Sequence, residues 1–264
     1  MADYSDILVE EDGPVALVTF NRPEALNSMG GTMMADLMHY LGTLNSGEYR
    51  IRAVVLTGKG RAFCAGGDVK SFPNVNEERA AEVWRRPRRD NDPPLAMREC
   101  DVPIIGAING YAVGGGFGLA LATDFRIASE DVVFQAAQIK RGITADVGLP
   151  FLLQDQVGTQ RALEIICTAR RVHAAEALAL GLVLEVLPPD KLVERALEIA
   201  HQVAQNAPLG LAAAKQLVYL AQQDQMGRVH ELNNMIVGKL FHTDDGREGA
   251  RSFFERREPK FTGH

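Results

Sequence analysis

The chain has 264 residues, is 46% hydrophobic and 23% charged, and carries a net charge of −6. That balance excludes a disordered or fibrous chain and offers no basic surface to nucleic acid. Its cysteines (Cys64, Cys100 and Cys167) are odd in number and scattered, so they form neither a disulfide framework nor a zinc pair and suit a reducing compartment.

In chain order, the acidic N-terminus has neither a signal- nor a transit-peptide pattern, so a cytoplasmic location is expected. Ile7–Val9 and Val15–Phe20 read as strands of a hairpin with a turn at Asp12-Gly13-Pro14. Met34, Leu37, Met38, Leu41 and Leu44 recur at helical spacing, and Ser46-Gly47 ends that helix. Ala53–Leu56 reads as a buried strand stopped by Thr57-Gly58. Further strands are expected at Ile104–Ile108, Phe125–Ala128 and Val133–Gln135. Strands alternating with helices predict parallel pairing through crossovers.

Between Asp101 and Asp124 the chain carries no charge, a length that invites comparison with a membrane span. Pro103, Asn109 and the glycines at 106, 110, 114, 115, 116 and 118 interrupt it. A helix loses roughly 1 kcal/mol per interior glycine. The run therefore reads as a buried strand, a turn at Asn109-Gly110 and a helix opening near Gly115.

From about Gly148 the pattern turns helical. Leu192, Ala196, Ile199 and Val203 mark one helix, Leu211, Leu217 and Leu220 another, and Val229, Leu232, Ile236 and Leu240 a third. Asp245 and Glu248 are spaced as an N-cap and its reciprocal partner ahead of Phe253-Phe254. The expected organisation is a core over 1–190 and a helical oligomerisation region over 191–264.

Gly114-Gly115-Gly116 sits where a strand hands over to a helix. The first-turn amides of a helix lack internal partners and carry the positive end of its dipole, so a developing oxyanion is stabilised there. Tight helix–strand packing explains the glycines equally well. The phosphate-binding patterns G-x-G-x-x-G and G-x-x-x-x-G-K-[ST] are not met.

A second small-residue bend, Arg61-Ala-Phe-Cys-Ala-Gly-Gly-Asp68, follows the strand at Ala53–Leu56. Together with Asn21-Arg-Pro-Glu-Ala-Leu-Asn27, Ile108-Asn-Gly-Tyr-Ala-Val-Gly-Gly-Gly116 and the Glu248-Gly-Ala-Arg-Ser-Phe-Phe-Glu-Arg-Arg tail, it resembles the crotonase (enoyl-CoA hydratase/isomerase) superfamily from about Ile7 to Phe261. The resemblance implies an α/β fold, a spiral of repeated ββα units with a C-terminal helical trimerisation region, assembled as trimers or hexamers. It implies an acyl-CoA thioester substrate and an enolate held by two backbone N–H groups, by motif position those of Cys64 and Gly115. Coenzyme A, as part of the substrate and with no separate cofactor, is expected along Ala25 and Leu26. Its adenine is expected near Ala62, Gly66 and Asp68. Phe253 and Arg256 match tail positions that reach a neighbour's CoA, although a solvated helix charge explains Arg256 as well.

Hydratases of the family use two glutamates, and the matching positions here read Gly118 and Gln138. Neither exchanges a proton near neutral pH. Asp146 falls where several non-hydratase members carry an acid: dienoyl-CoA isomerases use it as a base, ring-epoxyphenylacetyl-CoA isomerases have it, and 4-chlorobenzoyl-CoA dehalogenase uses it as a nucleophile. The dehalogenase pairs that acid with a Trp at the position of Gln138, which is missing here. The bland alternative for Asp146 is an N-cap before Val147-Gly148-Leu149-Pro150.

One base suffices for a proton shift from the α- to the γ-carbon, whereas hydration needs a second group to activate water. The expected activity is acyl-CoA isomerisation, of a double bond or a ring epoxide. The alternatives are a hydratase or thioester hydrolase recruiting Glu77, Glu78, Glu82, Asp90 or Asp92, and a non-catalytic CoA-binding scaffold. Asp124 reads as structural, the six histidines lack zinc spacing, and the basic run of Trp84, Arg85, Arg86, Arg88 and Arg89 reads as a solvated face or a CoA-phosphate contact.

Overall fold

Apolar alternation and continuous apolar runs sort the strands into two sheets. The computed structural model describes residues 4–45, 47–68, 92–141, 144–221, 243–245, 248, 255, 257 and 259–264. β1 (Ile7–Asp12) and β2 (Val15–Phe20) form the expected antiparallel hairpin, with Asp12 opposite Val15. α1 (Met33–Leu44) buries Met33, Leu37, Tyr40, Leu41 and Leu44 and carries the chain back to β3 (Ala53–Gly58), which runs parallel to β2. β3 is buried at every position, the mark of a parallel strand covered on both faces.

Three strand pairs then repeat one plan. β3, β5 (Ile104–Ile108) and β7 (Phe125–Ser129) add to the larger sheet. Their followers β4 (Ala62–Cys64), β6 (Tyr111–Val113) and β8 (Val133–Gln135) build the smaller one. Helices α2 (Pro93–Glu99), α3 (Gly115–Ala122) and α4 (Leu149–Thr168) come after successive pairs. With β9 (Arg171–His173) and β10 (Val186–Leu187), the sheet orders are β1-β2-β3-β5-β7-β10 and β4-β6-β8-β9. This is the expected ββα spiral. Of the short strands, β8 falls at the expected Val133–Gln135, whereas β4, β6, β9 and β10 escape the sequence reading.

The uncharged run becomes β5, β6 and α3, and α3 is buried at all of its positions, which explains an apolar pattern without a polar face. Among the described residues no helix is long and apolar enough to cross a membrane.

After α5 (Ala174–Ala179) come α6 (Leu192–Ala204) and α7 (Pro208–Ala221). α6 lays Leu192, Ala196, Ala200 and Ala204 on the outer face of the larger sheet, against Val15, Ala53, Val55, Ile105, Ala107 and Ile127. The helical region that begins at 191 thus shares the sheet's core from its first helix. α7 departs from its apolar pattern: it buries Ala212 and Lys215, while Leu211, Leu217 and Leu220 are only half-buried.

Asp245 does not act as an N-cap. It is itself helical, and its carboxylate accepts from the amides of Thr262 (2.6 Å) and Gly263 (2.9 Å). Glu248 accepts from Lys260 N (2.9 Å) and pairs with Arg257. Both carboxylates therefore anchor the C-terminal segment, a tertiary use that local spacing does not reveal. The third helical stripe (Val229 to Leu240), Phe253, Arg256 and the Trp84 basic run lie outside the described residues.

Candidate active site

Two bends meet at the start of α3. Gly114, the N-cap, takes φ +59 and donates its N–H to Gln135 O at 2.8 Å, which turns β6 into the helix. A Cβ on Gly116 would lie 1.9 Å from Cys64 O, and one on Gly66 would lie 3.2 Å from Gly115 N. Only residues without side chains let the 64–68 bend and the 114–116 bend touch in this way.

The amides at this meeting point divide clearly. Gly115 opens α3, and its N–H finds no acceptor among the described residues. In the bridge between Met29 and Gly67, Met29 N donates to Gly66 O (2.7 Å) and Asp68 N donates to Met29 O (3.4 Å). That pattern turns the Gly67 N–H away from Met29, and it too has no acceptor among the described residues. Cys64, the expected donor, is instead the last residue of β4, paired opposite Ala112 of β6. Burial pushes its thiol up to about 12 despite a hydrogen bond from the Gly66 amide, so it carries no thiolate near neutral pH.

Asp146 and Gln138 come together beside these bends. Gln138 Nε2 donates to Asp146 Oδ1 at 3.0 Å, and the Gln138 amide lies 3.6–3.9 Å from where a Cβ on Gly114 would stand. Gln138 is buried, and its Oε1 has no partner among the described residues. The helix-cap alternative for Asp146 is not seen: the N-cap of α4 is Gly148, with no side-chain cap bond. Asp146 is nevertheless exposed rather than enclosed in an apolar pocket, so solvent reaches the carboxylate that Gln138 holds.

Gly118 is filled by neighbouring backbone. A Cβ there would lie 2.2 Å from Val147 O, and Val147 itself adopts φ +52, a costly conformation for a β-branched residue. Met29 and Val147 also roof Gly115, their side chains lying 2.3 Å and 2.9 Å from where its Cβ would be. Sequence reasoning missed Met29, Gly67 and Val147, because no local signal marks a residue that acts through its backbone or as a lid.

The expected CoA segments border the same place. Ala25 ends a 3-10 turn, Leu26 follows at φ +53, and Leu26 O accepts from Ala65 N at 3.0 Å. Buried Asn27 ties the two segments further, donating to Lys59 O (3.0 Å) and Ala62 O (2.7 Å). Ala62 is buried in β4, and Asp68 pairs with Arg22 at 3.7 Å. Asp124 lies away in the core of the fold, accepting from Ile104 N and Tyr219 Oη and paired with Lys215. Among the described residues no group of three His, Cys, Asp or Glu side chains could hold a metal ion.

The family model described as enoyl-CoA hydratase/isomerase matches residues 10–264. An (E)-benzylidenesuccinyl-CoA hydratase from Thauera aromatica is 37% identical over 262 residues, 97% of this chain and 99% of its own length. The short-chain-enoyl-CoA hydratase of Clostridium acetobutylicum is 31% identical over 264 residues, 97% of each chain. The crystal structure of an enoyl-CoA hydratase from Bacillus anthracis superposes with a TM-score of 0.91 at 34% identity, covering 98% of this chain and 100% of that one.

Proposed function

We propose, since this chain belongs to the enoyl-CoA hydratase/isomerase family, that it isomerises an unsaturated or ring-epoxide acyl-CoA with Asp146 as its base. The carrying observation is the carboxylate of Asp146, held at 3.0 Å by Gln138 near two backbone amides that find no acceptor among the described residues. In the double-bond case, Asp146 takes the α-proton of the thioester, the electron pair moves to the thioester oxygen, and the Gly115 and Gly67 amides hold that oxyanion. Collapse of the enolate returns the proton from Asp146 to the γ-carbon, so one acid serves both transfers. The geometry favours Gly67 over the expected Cys64 as the second donor. Removing one such donor typically costs about 3 kcal/mol of transition-state stabilisation.

A second reading is hydration. The relatives named hydratases favour it, and so does the solvent-exposed Asp146 beside the unpartnered Gln138 Oε1, where a water could be oriented. The deciding experiment compares turnover of a 3-enoyl-CoA with hydration of crotonyl-CoA, in the wild type and in Asp146→Asn. The expected outcome is isomerisation in the wild type and a loss of about 10²–10⁴ in kcat in the variant. Full isomerase turnover in Asp146→Asn defeats the assignment, and fast crotonyl-CoA hydration replaces it with the second reading.

The CoA is proposed to lie along Ala25–Leu26, with its adenine near the 62–68 bend and no separate cofactor. The working unit is proposed to be a cytoplasmic trimer or hexamer.

A further inference from the structure

α2, α4 and α7 enclose a cavity of about 540 Å³ walled by Pro94, Leu95, Phe151, Leu152, Leu220 and Arg98. The Arg98 guanidinium carbon lies over two aromatic rings, 4.3 Å from the centroid of Tyr219 and 5.3 Å from that of Phe151. It makes no hydrogen bond or ion pair among the described residues, and its Nε is buried without a partner. The two ring contacts hold the cation in place without using its N–H donors, which stay free to meet an anionic ligand. The cavity's two acids have no ion pair with it: Asp92 accepts from Leu95 N as the N-cap of α2, and Glu99 is exposed.

The cavity borders the segment that carries Asp146. Gly148 lines it and follows Asp146 and Val147 directly in the chain. A Cβ on Gly148 would lie 3.5 Å from Pro94 Cβ, and Arg98 stands one helical turn, about 6 Å, further along α2.

We propose that this cavity receives the distal part of the acyl group and that Arg98 selects acyl-CoA substrates carrying a carboxylate there. Leu95, Phe151 and Leu152 cover the intervening alkyl or aryl portion. A carboxylate matches the in-plane fork of the guanidinium and gives the buried Nε its missing acceptor. This inference rests on the acyl-CoA reading above and adds the class of acyl group.

The test is calorimetric binding of two saturated thioesters that cannot isomerise, glutaryl-CoA and length-matched valeryl-CoA. The probes bind wild type, Arg98→Met and Arg98→Gln, and each variant's fold is checked by its melting curve. The wild type is expected to prefer glutaryl-CoA by about 10- to 100-fold, the range of a charge-assisted hydrogen bond. Both variants are expected to lose that preference while keeping valeryl-CoA affinity. Equal binding of the two thioesters by the wild type, or a preference that survives in a folded variant, overturns the role of Arg98 and leaves the acyl-CoA reading standing. Binding of neither thioester overturns the acyl-CoA reading itself, and this inference with it.

Discussion

Gly118 shows how one missing side chain reshapes this site. Its place is taken by Val147 O, 2.2 Å from where a Cβ would stand, and that close approach brings the 145–148 segment onto α3. Placing a glutamate at 118 is therefore not a simple addition, because a backbone carbonyl cannot rotate away as a flexible side chain can. Gly118→Ala is expected to destabilise the protein by about 1–3 kcal/mol, the usual cost of overpacking, and to lower turnover by displacing Asp146. Gly118→Glu is expected to do the same without gaining crotonyl-CoA hydration. Melting curves and the paired assays check both outcomes. That Gly118 and Gln138 carry no acid is legible in the sequence, and so is Asp146 as the remaining acid. The hydrogen bond between Gln138 and Asp146 is not legible, because it joins a 3-10 segment to a loop eight positions on without periodic spacing.

At the scale of elements, α7 is held by charge rather than by its leucines. Lys215 Nζ reaches Asp124 Oδ2 (2.9 Å), Met97 O (2.9 Å) and Val102 O (3.2 Å), with Lys215 buried and Asp124 largely so. Lys215→Met is expected to cost about 3–5 kcal/mol, because it takes the cation away from a largely buried carboxylate. Denaturant titration measures that loss.

The junction of α4 and α5 uses a different device. Arg170 bridges Glu164 and Glu176, and its hydrogen bonds pull both carboxyls below the ordinary carboxylate range. A carboxyl whose folded pKa is lowered stabilises the fold above its unfolded pKa and loses that contribution as pH falls through the folded value. The stability difference between wild type and Arg170→Met is therefore expected to shrink between pH 7 and about pH 3, read as urea midpoints. The pairs are largely solvent-facing, so the difference is small at any pH.

At the scale of the whole molecule, Leu184 and Val218 are each 63% exposed and Leu163 is 56% exposed. Apolar groups so placed suit burial against further copies, in line with the proposed assembly. Light scattering is expected to return about three or six times the chain mass, and a stable monomer removes that proposal.

The sequence by itself determined the ordinary balance of a folded chain, the first hairpin, the parallel strands β3, β5 and β7, the helices with a clear apolar face and the two glycine bends. Each of these is written in local periodicity or in residues whose backbone needs are local. Tertiary structure decided the rest: strands β4, β6 and β9 of the second sheet, the pairing of Asp245 with the C-terminal amides, the direction in which the Gly67 amide points, and the aromatic contacts of Arg98. Those features depend on which distant segments meet and on which side of a bridge an amide points. Neither is encoded in the spacing of residues along the chain.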